Sequence, residues 1–404
     1  MTVTYILGGA QTDFARNASR ENDDLVSLLR VATRDALIDA AIDAGDVQSA
    51  HVANFAAEIY SGQGHLGGLL VEAIPEFDGL AITRHEAACA SGSVAVLAAT
   101  AAIEAGRADV AVVTGVELMR ADGGFAAQQG LGAAAWVPSE LEGVDYPWPS
   151  LFSEVADEYE HRYGLDTEAL RVLSERMFAN AQHNPDAQTR TWSTGEGFFA
   201  ADDETNPVVA GRLRRSDCSQ VTDGAAAIVL ASPEYARHWA RSRGKELSEV
   251  ARIDGWGHRV ARMKMRHKLV ASRGDEYVFP HVAATVRDAY KRAGIDGAAQ
   301  LDGAEVHDCF TISAYAAIDH LGFTAPGESW KAVETAPINP SGGLIGLGHP
   351  VGATGVRMLR DAARQVEGRA GDMQIEGAQR MATLNIGGST TTTACFVVSR
   401  GETR

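Results

Sequence analysis

Two short segments of this 404-residue chain set a reactive side chain among small residues. One is Glu86-Ala87-Ala88-Cys89-Ala90-Ser91-Gly92-Ser93, followed by an Ala/Val/Leu-rich run to Gly106. The other is Gly346-Leu347-Gly348-His349-Pro350-Val351-Gly352-Ala353-Thr354-Gly355, followed by a similar run to Gly368. Each reads as a small-residue turn entering a helix, with Pro350 suited to a first helical turn. A thiol there meets the positive end of the helix dipole, which favours the thiolate. An imidazole held beside it takes the thiol proton and makes a nucleophile. The pair predicts covalent thiol chemistry, with Cys89 attacking and His349 as its base. Taken singly, a free cysteine is more often a small buried hydrophobe, and a lone histidine more often structural. The small residues around Cys89, which leave backbone amides free to meet an oxyanion, weigh the other way.

Two more segments carry chemistry-bearing residues. His307-Asp308-Cys309-Phe310 follows the lead Gly303-Ala304-Glu305-Val306. Its His-x-Cys pair has no further ligands at metal spacing, so no metal is expected. A hydrogen-bond donor and a second acid/base thiol remain. Asn385-Ile386-Gly387-Gly388-Ser389 ends an apolar run with a glycine pair. That pair suits a close backbone approach to a substrate, or simply a tight turn.

The elements that must position these residues follow from hydrophobic period. Residues 3–9, 109–115 and 224–232 read as buried strands, and 25–44 has helical spacing. Residues 93–105 are apolar all round, as in a helix buried on every side. Shifting the chain by 262 residues lays Ala105-Gly106-Arg107-Ala108 on Glu367-Gly368-Arg369-Ala370, and brings His349 close to the position of Cys89. Strands follow each helix, over 110–115 and 381–388, and one more closes each half, over 225–232 and 391–399. Two similar α/β halves predict a pseudo-symmetric layered fold in which both helix starts face one centre. Residues 120–207 form an insertion with helical patterning over 154–182, read as a lid, a cofactor-binding excursion or an ordinary surface insertion.

Composition removes several classes. The net charge of −17 argues against a general nucleic-acid binder. Cys89, Cys218, Cys309 and Cys395 lack metal spacing and any C-x-x-C, so reduced thiols in a cytoplasmic setting are expected. The first residues carry no basic, apolar leader pattern, and no apolar run approaches the roughly 20 residues of a membrane span.

Taken together these residues resemble the thiolase family over most of the chain. Cys89-Ala90-Ser91 looks like its nucleophile motif and Gly348-His349-Pro350 like its Gly-His-Pro loop. Ser219-Gln220-Val221-Thr222-Asp223-Gly224-Ala225-Ala226 is similar to its Ser-Gly-x-Asn-Asp-Gly-Ala-Ala segment. His307-Asp308-Cys309-Phe310 is the form of the sterol-carrier-protein-2 branch, where most thiolases have Asn-Glu-Ala-Phe. Most thiolases also have a Cys-x-Gly acid/base cysteine where this chain has Asn385-Ile386-Gly387. The resemblance implies a layered αβαβα fold: N-terminal half 1–119 and 208–255, inserted loop domain 120–207, C-terminal half 256–404. It implies an acyltransferase on acyl-CoA and 3-ketoacyl-CoA thioesters, with coenzyme A as substrate or product and no permanently bound cofactor. Cys89 would carry the acyl group and His349 would activate it. His307 would help hold the thioester oxygen, and Cys309 would replace the missing thiol. The amides of Cys89 and Gly387 would form an oxyanion site, and Ser219 would line the pantetheine path. A homodimer or higher homo-oligomer is implied, with a small acyl-CoA-binding protein as a further partner. The rival readings are a lyase on the same fold and a non-catalytic CoA-binding scaffold.

Overall fold

A computed structural model describes residues 3–121 and 123–401. Its main sheet has nine strands: β1 (Thr4–Gln11), β2 (Ser49–Ala53), β3 (Ala81–His85), β4 (Val110–Glu117), β5 (Gly224–Ala231), β6 (Arg252–Val260), β7 (Gly303–Val306), β8 (Arg380–Gly387) and β9 (Thr392–Ser399). Their order is β3-β2-β4-β5-β1-β6-β9-β8-β7. The two ends mirror each other. In one half β2 runs parallel to β4, and β4, β5 and β1 alternate direction. In the other β7 runs parallel to β8, and β8, β9 and β6 alternate. The halves meet where Thr4 and Tyr5 of β1 pair with Ile253 and Arg252 of β6. The boundary expected between 255 and 256 falls inside β6, which pairs with β9 along its length, so the second half begins with that strand.

Eight helices are used below: α1 (Leu25–Ala40), α2 (Ser91–Glu104), α3 (Pro147–Tyr163), α4 (Thr167–Ala181), α5 (Met265–Ala271), α6 (Pro280–Ala293), α7 (Thr311–His320) and α8 (Thr354–Val366). The helix expected over 25–44 stops at Ala40, because Ala41 turns left-handed and donates to the carbonyls of Leu37 and Ile38. Strand residues point alternately to two buried faces. In β5, Ala226, Ile228 and Leu230 join a core with Val96 of α2 and Val356 of α8. Ala225, Ala227 and Val229 join a second core with Leu29 and Leu37 of α1. On the far side Leu384, Cys395 and Val397 pack with Val286 of α6 and Ile312 of α7. The layers are thus helix, sheet, central helices α2 and α8, sheet, helix, which is the layered αβαβα arrangement. A strand covered on both faces reads as a continuous apolar run, as β5 does (Gly-Ala-Ala-Ala-Ile-Val-Leu-Ala).

The central helices touch at their starts. A Cβ on Gly92 would lie 2.7 Å from the Val356 nitrogen, and one on Gly355 would lie 2.4 Å from the Ser93 nitrogen. Glycine at both places lets the two helix N-termini meet across the pseudo-twofold axis.

The insertion is anchored rather than free. Its helical stretch is two helices, broken at Gly164 and restarted where Asp166 caps α4 by accepting the Glu168 N–H. Tyr159 of α3 donates to the buried Asp319 carboxylate. Arg162 donates to the Ser272 and Leu269 carbonyls, and Arg176 of α4 to those of Val333 and Ile338. No helix among the described residues is long and apolar enough to cross a membrane.

Candidate active site

Cys89 lies two residues before α2, on a turn the backbone must strain to make. Ala88 has φ 51°, a left-handed conformation that costs an L-residue about 1–2 kcal/mol. Ser91 holds the turn: its hydroxyl donates to the Ala88 carbonyl at 2.6 Å and accepts the Ala87 N–H at 2.9 Å. The Glu86 carboxylate accepts the Ala88 N–H at 2.6 Å.

His349 comes from the other half, five residues before α8. Pro350 does not enter the first turn, contrary to the sequence reading; its carbonyl instead accepts the N–H groups of Ala353 and Thr354. The His349 N–H donates to Thr222 Oγ1 at 2.9 Å, so the loop from Ser219 to Gly224 fixes it in place. Thr354 spends its hydroxyl hydrogen on the Pro350 carbonyl at 2.9 Å. Its oxygen, 2.7 Å from His349 Nδ1, therefore accepts the proton there and leaves the Nε2 lone pair for the cavity.

His307 follows β7, its backbone N–H bonded to the Leu384 carbonyl at 2.9 Å. Its ring stands 5.1 Å from that of His349 and nearly perpendicular, at 86°. Ligand atoms of Cys89, His307 and His349 all lie within 4.8 Å of one another. Cys309 is buried, its sulfur 3.7 Å from Ser313 Oγ, and its carbonyl accepts the Ser219 N–H at 2.9 Å. These residues, Ser219 and Gly388 wall a cavity of about 60 Å³, closed from the insertion side by Leu131, Ala134, Trp148 and Phe152. A larger cleft, about 770 Å³, lies by Thr4, Trp256 and Arg400 and has no thiol or imidazole in its wall.

The resting site is neutral, which corrects the expectation of an acidic nucleophile. Burial pushes the Cys89 thiol up to about 12; the Gly388 N–H opposes this and the Glu117 carboxylate adds to it. Desolvation of the sulfur, on a residue that keeps intermediate exposure, is the largest of these causes. Burial, with Arg357 beyond it, pulls His349 down to about 3 and holds it as a free base. His307 is held well below its ordinary value by burial, then by His349 and Arg357. Cys309 is pushed well up by burial, with Cys89 as the next cause.

The amide that reaches the Cys89 sulfur belongs to Gly388, one residue beyond the expected Gly387. Gly387 serves packing: a Cβ there would lie 2.2 Å from the Ala87 carbonyl. Several residues escaped sequence reasoning. Glu117 accepts N–H groups from Asn54, Phe55, Ala56 and Gly352, tying the His349 loop to the first half. Cys218 is a third thiol in the cavity wall. Asn385 Nδ2 lies 3.2 Å from the Cys89 carbonyl and 3.0 Å from His307 Nδ1. Residues this far apart in sequence leave no local pattern. For Asn385, the glycine pair after it and the resemblance to the Cys-x-Gly segment had pointed this strand end at the nucleophile, but not its contact with His307. A thiol and two imidazoles are donors of the type zinc takes. Here one imidazole nitrogen of each ring is already engaged, by Asn385 and by Thr354.

Comparison with known proteins agrees with this geometry. Residues 4–138 match the family model described as thiolase, N-terminal domain. Residues 263–400 match that described as thiolase C-terminal domain-like. Acetyl-CoA acetyltransferase of Methanothermobacter thermautotrophicus is 30% identical, over 98% of this chain and 99% of that protein. That of Methanocaldococcus jannaschii is 32% identical over 98% of each. Sterol carrier protein 2 of Gallus gallus is 26% identical over 95% of this chain and 69% of its own. Among solved structures, an Ltp2-ChsH2(DUF35) aldolase superposes with TM-score 0.77 at 19% identity, covering 98% of both chains. Acetyl-CoA acetyltransferase from Syntrophomonas wolfei does so with TM-score 0.71 at 19% identity, covering 99% of this chain and 100% of that one.

Proposed function

The chain belongs to the thiolase family and is a thiolase-type acyltransferase; from that premise we propose how its residues divide the work on acyl-CoA thioesters. Cys89 attacks the 3-keto carbonyl of a 3-ketoacyl-CoA while His349 Nε2 takes the thiol proton. The oxyanion that forms meets the N–H groups of Cys89 and Gly388. Collapse breaks the bond between the substrate's C2 and C3, leaves the acyl group on Cys89 and expels the enolate of acetyl-CoA. His307 and His349 donate to the enolate oxygen, and Cys309 gives its proton to the carbon. Free coenzyme A then loses its thiol proton to a base of the site and takes the acyl group from Cys89. Run backwards, the same steps are a Claisen condensation. Coenzyme A is substrate and product; its pantetheine passes Ser219, and the insertion over 120–207 covers its nucleotide.

The observation that carries this reading is the meeting of Cys89, His307 and His349 within 4.8 Å in the wall of one cavity. Two finer proposals join it. Strand β3 pairs with β2 on one side and leaves its other edge uncovered by any named strand, so a second copy pairs there in a cytoplasmic dimer. A small acyl-CoA-binding protein as further partner is in keeping with the fold likeness to an aldolase named with ChsH2(DUF35). That likeness also favours a second reading, a lyase, which would cleave carbon–carbon bonds with no covalent adduct. Intact-mass spectrometry after mixing with acetyl-CoA, acetoacetyl-CoA and longer 3-ketoacyl-CoAs separates them. An acyl group on Cys89 supports the transferase. With a 3-hydroxyacyl-CoA run beside them, its cleavage to a carbonyl compound and acetyl-CoA with no adduct supports the lyase, and neither supports the scaffold.

A further inference from the structure

Asn385 stands where the resemblance expects an acid/base thiol, and its side chain can be oriented without ambiguity. One end of the amide lies 3.2 Å from the Cys89 carbonyl, which only accepts, so that end is the NH2. The other end accepts the Ser93 hydroxyl at 2.8 Å, which agrees. The same NH2 lies 3.0 Å from His307 Nδ1. An amide nitrogen has no lone pair to offer, so Nδ1 must accept and the ring's one proton must sit on Nε2. His349 is the opposite case, with its proton on Nδ1 against Thr354.

We infer that Asn385, steadied by Ser93, is a positioning residue that locks His307 as the Nε2–H tautomer, making it a hydrogen-bond donor beside a His349 that is an acceptor. Two adjacent imidazoles are thus given different roles by their outer partners alone. The donor's use at the enolate oxygen rests on the proposed acyltransferase chemistry; the lock itself does not. It also explains why a carboxamide serves here: a thiol would not fix the ring's proton, and a carboxylate would fix the wrong one.

The test reads the tautomer directly, from nitrogen chemical shifts of isotope-labelled histidine in the full-length protein, with His307→Gln to assign the signal. The wild type is expected to carry the proton on Nε2 from pH 6 to 9, a window of about three units around neutrality. In Asn385→Asp a carboxylate faces Nδ1 and raises the ring's pKa. Below that value the imidazolium still presents Nε2–H; above it the remaining proton sits on Nδ1 and the donor is lost. The variant's kcat should therefore fall about 10²–10³-fold as pH rises through the new pKa, with KM little changed. The wild type should lack that limb. A merely structural Asn385 would lower activity or stability at every pH alike. A wild-type spectrum with the proton on Nδ1 overturns the inference, whatever the variant does. So does an Asn385→Asp protein that keeps the wild-type tautomer and pH profile. An Nε2–H signal with no acyl-Cys89 from any donor would leave the lock standing and remove the proposed reaction.

Discussion

The two central helices occupy equivalent places and are built from opposite materials. Helix α2 reads Ser-Gly-Ser-Val-Ala-Val-Leu-Ala-Ala-Thr-Ala-Ala-Ile-Glu, with one charge at its end. Helix α8, expected to be a similar apolar run, buries Arg357, Arg360 and Asp361. Arg357 is fully enclosed, 2.6 Å from the equally enclosed Glu305. Both helices begin at the site, so the comparison has a chemical meaning. On the thiol side, beyond burial itself, the Glu117 carboxylate opposes thiolate. On the imidazole side, again after burial, Arg357 opposes imidazolium. Each half suppresses the charged form of its own group. Both shifts favour the neutral thiol–imidazole pair over the thiolate–imidazolium pair before substrate enters.

The largest effects will come from the thiols themselves. Cys89→Ala should lose both acyl capture and the carbon–carbon step. Cys309→Ala should still form acyl-Cys89 from acetyl-CoA and lose thiolysis of acetoacetyl-CoA by about 10²–10⁴-fold, as for one acid/base group. Near-normal thiolysis in Cys309→Ala would reduce that residue to a packed core thiol. The raised pKa of the Cys89 thiol bears on its alkylation as well. Its labelling by iodoacetamide near neutral pH should be slow and should rise steeply with pH.

Much of this was legible in the residues. The apolar runs became strands, and the start of α2 at Ser91 and α8 at Thr354 matches the internal repeat to within one residue. What stayed hidden depends on contacts across the fold. The repeat places helix starts, and says nothing of burial, so it predicted an acidic Cys89 where desolvation rules. Pro350 looked like a first-turn residue, yet three residues of turn separate it from the helix. The role of Glu117, which gathers donors from β2's exit and from Gly352, needs both halves in place before it exists.

An intermediate effect should follow from Arg357→Met. Leaving Glu305 buried without its cation should cost about 3–5 kcal/mol, measured by urea unfolding. The double variant with Glu305→Gln should recover most of that. In both, the loss of a positive neighbour makes His349 and His307 easier to protonate, although burial remains the larger cause. The acid limb of kcat/KM should then move to higher pH. A double variant with restored stability and an unmoved acid limb would show that Arg357 serves only to neutralise Glu305.

The smallest effect expected contrasts two buried groups, Glu117 beside the Cys89 turn and Lys268 at the turn that carries Gly388. Lys268 of α5 reaches the turn after β8, its Nζ 2.9 Å from the Arg262 and Met263 carbonyls and 3.0 Å from the Ser389 and Thr391 hydroxyls, among which it shares its hydrogens. That turn carries Gly388. Burial lowers the ammonium from 10.5 to about 7. Between those values the folded protein binds fewer protons than the unfolded chain, so stability should rise with pH through that window. Glu117 has the opposite sign. Burial raises it from 4.5 to about 7, the folded state holds the extra proton, and stability should fall as pH rises through that range. One proton corresponds to a slope of at most about 1.4 kcal/mol per pH unit in either case. Lys268→Met should therefore flatten the stability curve above neutrality and leave the lower range alone, and Glu117→Gln should do the reverse. With the turn held by fewer bonds, Lys268→Met should also lower kcat by a few-fold, about the loss of one modest hydrogen bond. Unfolding measured across pH for both variants decides the matter: equal slopes above pH 7 in Lys268→Met and the wild type would mean that the amine is not the group whose charge is suppressed beside Gly388.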